Sequence, residues 1–290
     1  MYNPGHTHDK EVSRAVPRRN YGLERSRTAE PLPNSRMAIA TSGQNPWDGI
    51  LLFDSQVSLN DYEAQGGAPY QMQNVTRFPA VRAMIWDDQG QTLWAAGTDA
   101  GEDGLGDKFS NLTLKGYPFD KKLAKLSTNN VTTHKLNHPF AGNSSWKGSH
   151  WWTADEIIPV PNQRKFIITT SIDFHVFDVD QKKFTDSGKD VISDYLTGFE
   201  PVDKGRGGQF DLTRSNVTSG SLASDGSFVY VQATPGGENG NGTNYVKEGK
   251  KYALGGGRSI EVSRARFFAD TPGWQKTAYT STDVEMDAAA

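Results

Sequence analysis

The chain has 290 residues, is 35% hydrophobic, 22% charged and 11% aromatic, and carries 30 Gly, 14 Pro and no Cys. Its 7 Trp, 14 Phe and 10 Tyr exclude a collagen-like or disordered chain, and the missing Cys exclude disulfide frameworks, zinc–cysteine sites and thiol nucleophiles. A net charge of −3 argues against nucleic acid as a partner, and no apolar run nears the roughly 20 residues of a membrane-spanning helix.

Residues 1–24 form a polar N-terminal segment. Met1–Asn20 contains no basic stretch followed by the apolar run of roughly 7–15 residues that a secretory signal needs. Residues 25–278 read as one domain of short strands, and 279–290 as a C-terminal tail.

The domain opens on TAEPLPNSRMAIATSGQNPWDGILLFD (Thr28–Asp54), and Thr153–Asp178 (TADEIIPVPNQRKFIITTSIDFHVFD) repeats its layout. Both run from Thr-Ala-acid to Pro-Asn and a basic residue. A β-branched strand follows (Met37–Thr41, Phe166–Thr170), then an apolar strand ending in Phe-Asp. The two stretches start 125 residues apart, which suits two units of roughly 62. Between them, Val81–Thr98 places a tight Asp-Asp-Gln-Gly turn between two apolar strands. Val217–Ala233 repeats that hairpin around Ser-Asp-Gly-Ser, and Asp-Gly between strands is a strong hairpin signal. Thr234–Arg258, with its Gly-rich ends, reads as a mobile surface loop, and Arg258–Ala269 as an outer strand. A helical stripe shows only weakly, at Asp190–Leu196.

Four such units of antiparallel strands predict an all-β fold, a β-propeller of about four blades, rather than a β-sandwich. Four is the lower limit of the roughly 4–8 blades that close a ring, so the ring is expected to be incomplete.

The stretches VRAMIWDDQGQTLWAAGTD, LKGYPFD, SHWWTADEIIPVPNQRKFIITTSIDFHVFDVDQKKF and VTSGSLASDGSFVYVQA resemble a family of WD40/YVTN-type propeller proteins. The family is described as a domain of unknown function (DUF6528) of bacterial and fungal secreted proteins. The resemblance runs from about Thr28 to Ala269. Its members carry a His ahead of the Ala-acid pair; here Arg27 and Trp152 stand near those places, with His150 two residues before Trp152. The resemblance also implies further strand units upstream, so that an N-terminal truncation would account for the missing blades and signal together.

Six Asn-x-Ser/Thr sequons, at Asn74, Asn111, Asn130, Asn143, Asn216 and Asn241, exceed the roughly two or three expected by chance and point to a secreted glycoprotein. Trp146, Lys147, His150, Trp151 and Trp152 form the densest aromatic patch. They are the residue types on which sugar rings stack and acidic groups pair, although large aromatics also pack blades together. The pieces for acid–base chemistry are His150, Arg82, Arg214 and Tyr230. Glu30 and Asp155, at the repeated Thr-Ala-acid, read as turn acceptors common to the blades.

No metal site follows. His134 and His138 are four apart but share no helix, and Asp99–Ser110 has too few oxygen ligands for a calcium loop. No cofactor motif is present either. The expectation is a secreted propeller binding carbohydrate or another extracellular ligand at an axial face. A carbohydrate-active lyase or hydrolase on the same scaffold, and a WD40-like interaction platform, stand as alternatives. Oligomeric state is left open.

Overall fold

The computed structural model describes residues 26–41, 49–54, 71–76, 78, 81–99, 111–136, 154–170, 173–200, 216–233, 240–255 and 264–267. Their regular structure is strand except for one short helix. Four antiparallel sheets follow one another along the chain, with strand order equal to chain order in each. That meander is the blade of a β-propeller, so the fold class is all-β with four blades.

The chain divides into two compact units, Met1–Trp86 with Gln91–Asp155, and Asp87–Gly90 with Glu156–Ala290. In the first unit one blade comprises β1 (Ser26–Leu32), β2 (Arg36–Thr41), β3 (Gly49–Asp54) and β4 (Gln71–Thr76). The next comprises β5 (Ala83–Asp87), β6 (Thr92–Thr98), β7 (Leu112–Asp120) and an outer strand in two pieces. Those pieces, β8 (Lys125–Leu126) and β9 (Thr132–Leu136), pair with the two halves of β7.

In the second unit the blades are β10 (Glu156–Pro159), β11 (Lys165–Thr169), β12 (Phe174–Asp178) and β13 (Lys183–Ser187), then β14 (Val217–Leu222), β15 (Phe228–Ala233), β16 (Gly240–Lys247) and β17 (Lys250–Gly255). The weak helical stripe is a helix, α1 (Lys189–Tyr195), which buries Val191.

Burial follows blade position. All of β12 is buried, as its continuous Phe-His-Val-Phe sequence requires of a strand covered on both faces. β9 and β13 alternate between half-buried and exposed, as edge strands do. Each unit has its own apolar core. Ile50, Leu52, Met84 and Leu93 anchor the first, and Ile158, Phe174, Phe228 and Tyr230 the second. Inside the first unit the Gln73 amide joins its two sheets, donating to the Leu126 carbonyl (2.7 Å) and accepting from its N–H (2.8 Å).

One turn recurs. Asp87, Asp120 and Asp178 each end a strand, and each carboxylate accepts the backbone N–H three residues on, from Gly90, Leu123 and Gln181. Each turn then closes on a left-handed residue, Gln91 (φ 46°), Ala124 (φ 49°) or Lys182 (φ 53°). The aspartate satisfies a turn donor that would otherwise lack a partner. The repeated basic residue and Phe-Asp also meet: Arg36 lies opposite Asp54 and bonds it at 2.6 Å, and Lys165 lies opposite Asp178.

Two expectations are corrected. Residues 240–255, read as loop, form the β16–β17 hairpin around Glu248-Gly249, both at positive φ. Their Gly- and Asn-rich composition hides an alternation of Tyr245 and Lys247 on one strand against Tyr252 and Lys250 on the other. Of the outer strand expected at Arg258–Ala269, the described part, 264–267, is not strand. Among the described residues the last strand of that blade is β17, and the 264–267 segment is held by the Arg264 side chain on Glu156 and the Ala265 N–H on Ser219 Oγ.

Candidate functional site

His150, Arg214, Trp146, Lys147, Trp151 and Trp152 lie outside the described residues, as do Asn143 and His138. Asn74 and Asn241 lie on β4 and β16.

Arg82, in the first unit, donates from Nη1 to Asp155 Oδ1 at 3.1 Å. Its side chain is 38% exposed over a carboxylate that is 9% exposed, so the pair holds a half-open arginine on a sunken acid. Tyr230, in the second unit, is fully buried between Phe199 and Phe228, with ring centroids at 5.3 and 4.8 Å. Its hydroxyl has no hydrogen-bond partner among the described residues, and burial, with the Glu200 carboxylate second, pushes its pKa above the usual phenol range.

Glu30 and Asp155 do not share a place in the blade. Three more residues separate Ala154 from Pro161 than Ala29 from Pro33, so the two acids fall out of register once the Pro-Asn turns are matched. Glu30 sits inside β1 and accepts the backbone N–H of Trp86 at 2.9 Å, whereas Asp155 precedes β10. The recurrent turn acceptors are Asp87, Asp120 and Asp178 instead.

The most developed polar cluster of the second unit was not anticipated. Glu156 opens β10 and is fully buried. Its Oε2 accepts Arg264 Nη1 at 2.6 Å and the Ser219 hydroxyl at 3.1 Å. Its Oε1 accepts Arg266 Nη2 at 3.0 Å and the Ile157 N–H at 3.3 Å. A buried carboxylate costs several kcal/mol unless its lone pairs are filled, and here four donors fill them. Ser219 Oγ in turn accepts the Ala265 N–H at 3.3 Å. Arg264 and Arg266 are two residues apart, and both side chains reach the one carboxylate. They remain 34% and 46% exposed above an acid that is 0% exposed.

Two more arginine and lysine clamps are closed structural pairs. Arg164 bonds Asp87 through both terminal nitrogens at 2.9 Å and Asp180 through Nε at 2.7 Å. Lys135 bonds Asp99 at 3.0 Å, and the Asn111 amide donates to the same oxygen at 3.0 Å. Asp99 is thereby held below the usual carboxylate range despite partial burial. Lys115 lies 4.7 Å over the Phe78 ring, and burial, with Lys135 second, lowers its pKa. No group of three or more His, Asp or Glu among the described residues is placed to hold a metal ion. No helix among them is long and apolar enough to cross a membrane.

No family model and no curated protein matches the chain. Among solved structures it is similar to the extracellular domain of BT4673 from B. thetaiotaomicron, at 10% identity and a TM-score of 0.41, over 82% of this chain and 24% of that one. It is also similar to the Neurospora crassa Pan2 WD40 domain, at 8% identity and a TM-score of 0.38, over 83% of this chain and 54% of that one. The chain thus spans about a quarter and about half of the two proteins it resembles.

Proposed function

We propose that this chain is an extracellular propeller binding module, taking a carbohydrate or another extracellular ligand at an axial face. The observation that carries the reading is the Arg264–Glu156–Arg266 cluster, two cations bonded to one buried acid and partly exposed to solvent. Anchored, preorganised donors recognise ligands at low entropic cost. The sequence adds stacking surfaces: Trp146, Trp151 and Trp152 fall in the stretch between β9 and β10. Among the acid–base pieces, Arg82 is committed to Asp155 and Tyr230 belongs to the apolar core, which favours binding over catalysis. The six sequons support the compartment.

A glycan array probed with the whole chain tests the reading. Trp146→Ala, Trp151→Ala and Trp152→Ala are each expected to weaken any hit by roughly tenfold, the worth of one lost stacking contact. A blank array, on protein shown to be folded, would remove carbohydrate as the ligand class.

A further inference from the structure

We propose that two turns of this chain, β7–β8 and β16–β17, each make contact with a membrane surface rich in anionic phospholipid. Their lysines pair with the headgroups, and Leu123 and Tyr252 enter the boundary with the acyl chains. This contact goes beyond the axial ligand and does not depend on it.

Among the described residues Leu123 and Tyr252 are the exposed large hydrophobics, at 65% and 49%. A single exposed apolar side chain is ordinary, but these two share a setting. Each lies on or just beyond the turn that joins the third strand of its blade to the fourth. Each has three lysines close by in the chain, Lys121, Lys122 and Lys125 for Leu123, and Lys247, Lys250 and Lys251 for Tyr252. The whole chain is net −3, so both concentrations run against its overall charge.

The turns themselves do not demand these residues. In the recurrent aspartate turn, Gly90 and Gln181 fill the place of Leu123 and are exposed as it is. Where this turn carries Lys121-Lys122, the other two carry Asp88-Gln89 and Val179-Asp180. Asp120 accepts the backbone N–H groups of Lys122 and Leu123, and no ion pair among the described residues holds the Lys121, Lys122 or Lys125 side chain. In the other hairpin Lys247 stands directly opposite Lys250, and Tyr245 opposite Tyr252. Like charges so placed destabilise a sheet. Asp225 lies within electrostatic reach of Lys247, and Glu200 meets Lys251 at 3.6 Å. Lys250 has no ion pair among the described residues. Val246, one step along the strand, is buried in the core, so the face bearing Tyr245, Lys247, Lys250 and Tyr252 is turned away from it.

A lipid surface uses every part of this arrangement. Lysine stems lie along apolar surface while their ammonium groups stay among the phosphates. Tyrosine is suited to the headgroup level, and leucine to the acyl boundary just beneath. A soluble polyanion would use the lysines and leave Leu123 without a role.

Flotation of the whole chain with vesicles tests the proposal, using phosphatidylcholine alone, an equimolar mixture with phosphatidylglycerol, and inorganic polyphosphate as a soluble polyanion. Binding to the anionic vesicles is expected to exceed binding to the neutral ones at least tenfold and to weaken as NaCl is raised. Replacing Lys121, Lys122 and Lys125 by Gln should cost roughly fivefold per lysine. Leu123→Ser and Tyr252→Ser should each lower vesicle affinity roughly tenfold while leaving polyphosphate binding unchanged. Thermal melting checks that each variant is folded. Because the chain has no Cys, a polarity-sensitive dye can be placed on Leu123→Cys, or on Thr185→Cys at an exposed position of the edge strand β13. The first should shift to the blue on anionic vesicles and the second should not.

Equal binding to both vesicles, or to neither, overturns the proposal and leaves the glycan array to decide the binding-module reading by itself. Lysine-dependent binding with no dye shift and no loss in Leu123→Ser and Tyr252→Ser assigns the lysines to a soluble polyanion, and overturns it equally.

Discussion

His175 shows how one residue ties burial to pH. It stands on β12 with Phe184 at 6.5 Å, is 4% exposed, and burial pushes its pKa down to about 3 from the ordinary 6.5. The folded protein therefore holds the imidazole neutral, while the unfolded chain binds a proton below about pH 6.5. The stability this residue contributes is complete above that pH and is lost as pH falls toward about 3. The loss runs at about 1.4 kcal/mol per pH unit. Urea unfolding at pH 6.5 and 4.5 should show His175→Gln losing about 2–3 kcal/mol less than the wild type over that interval. Parallel losses in the two proteins would mean that His175 protonates without unfolding. Glu156 makes the complementary point: a buried charge is tolerable because Arg264, Arg266, Ser219 and the Ile157 N–H all bond it.

At the scale of elements, the recurrent turn explains why the repeat is visible at all. Asp-x-x-x before a left-handed residue keeps its aspartate because the carboxylate takes a turn N–H. Basic residues recur because they lie opposite the Phe-Asp strand end. Those pairings are local, so a single sequence displays them. A left-handed conformation costs an L-residue about 1–2 kcal/mol, and glycine removes that strain for an entropic cost of about 0.5–1 kcal/mol. Lys182→Gly, at an exposed position with φ 53°, is therefore expected to stabilise the protein by about 0.5–1 kcal/mol in denaturant titration. Ala124→Gly should gain nothing, because the Ala124 methyl is 8% exposed in the first core and its loss costs about 0.8 kcal/mol. Equal gains at both positions would show that the methyl contributes no packing. The β16–β17 hairpin escaped the same reading because its Gly- and Asn-rich strands lack the apolar run that marks the other blades. The arginine cluster escaped it for a different reason. Glu156 and Arg264 are 108 residues apart, and nothing local in either segment announces the other.

For the molecule as a whole, each unit carries its own core, and the four blades emerge from short-range strand signals. Compartment is a property at this scale too, and the sequons make it testable because their environments differ. Asn130 is exposed on a bend between β8 and β9. Asn216 is 8% exposed, with φ 46°, directly before β14. The Asn111 amide is engaged with Asp99. A glycan is bulky and hydrophilic, so it persists only where the Asn side chain reaches solvent in the folded state. Expression through a glycosylating secretory host is therefore expected to yield folded protein modified at Asn130 and unmodified at Asn216. Peptide mass mapping before and after glycosidase treatment reads both sites. Asn130→Gln should remove one glycan's mass and leave the melting temperature unchanged, because the side chain it replaces is exposed. Folded, secreted protein bare at Asn130 would count against the sequon excess as a mark of secretion. A glycan at Asn216 on folded protein would instead require the start of β14 to open.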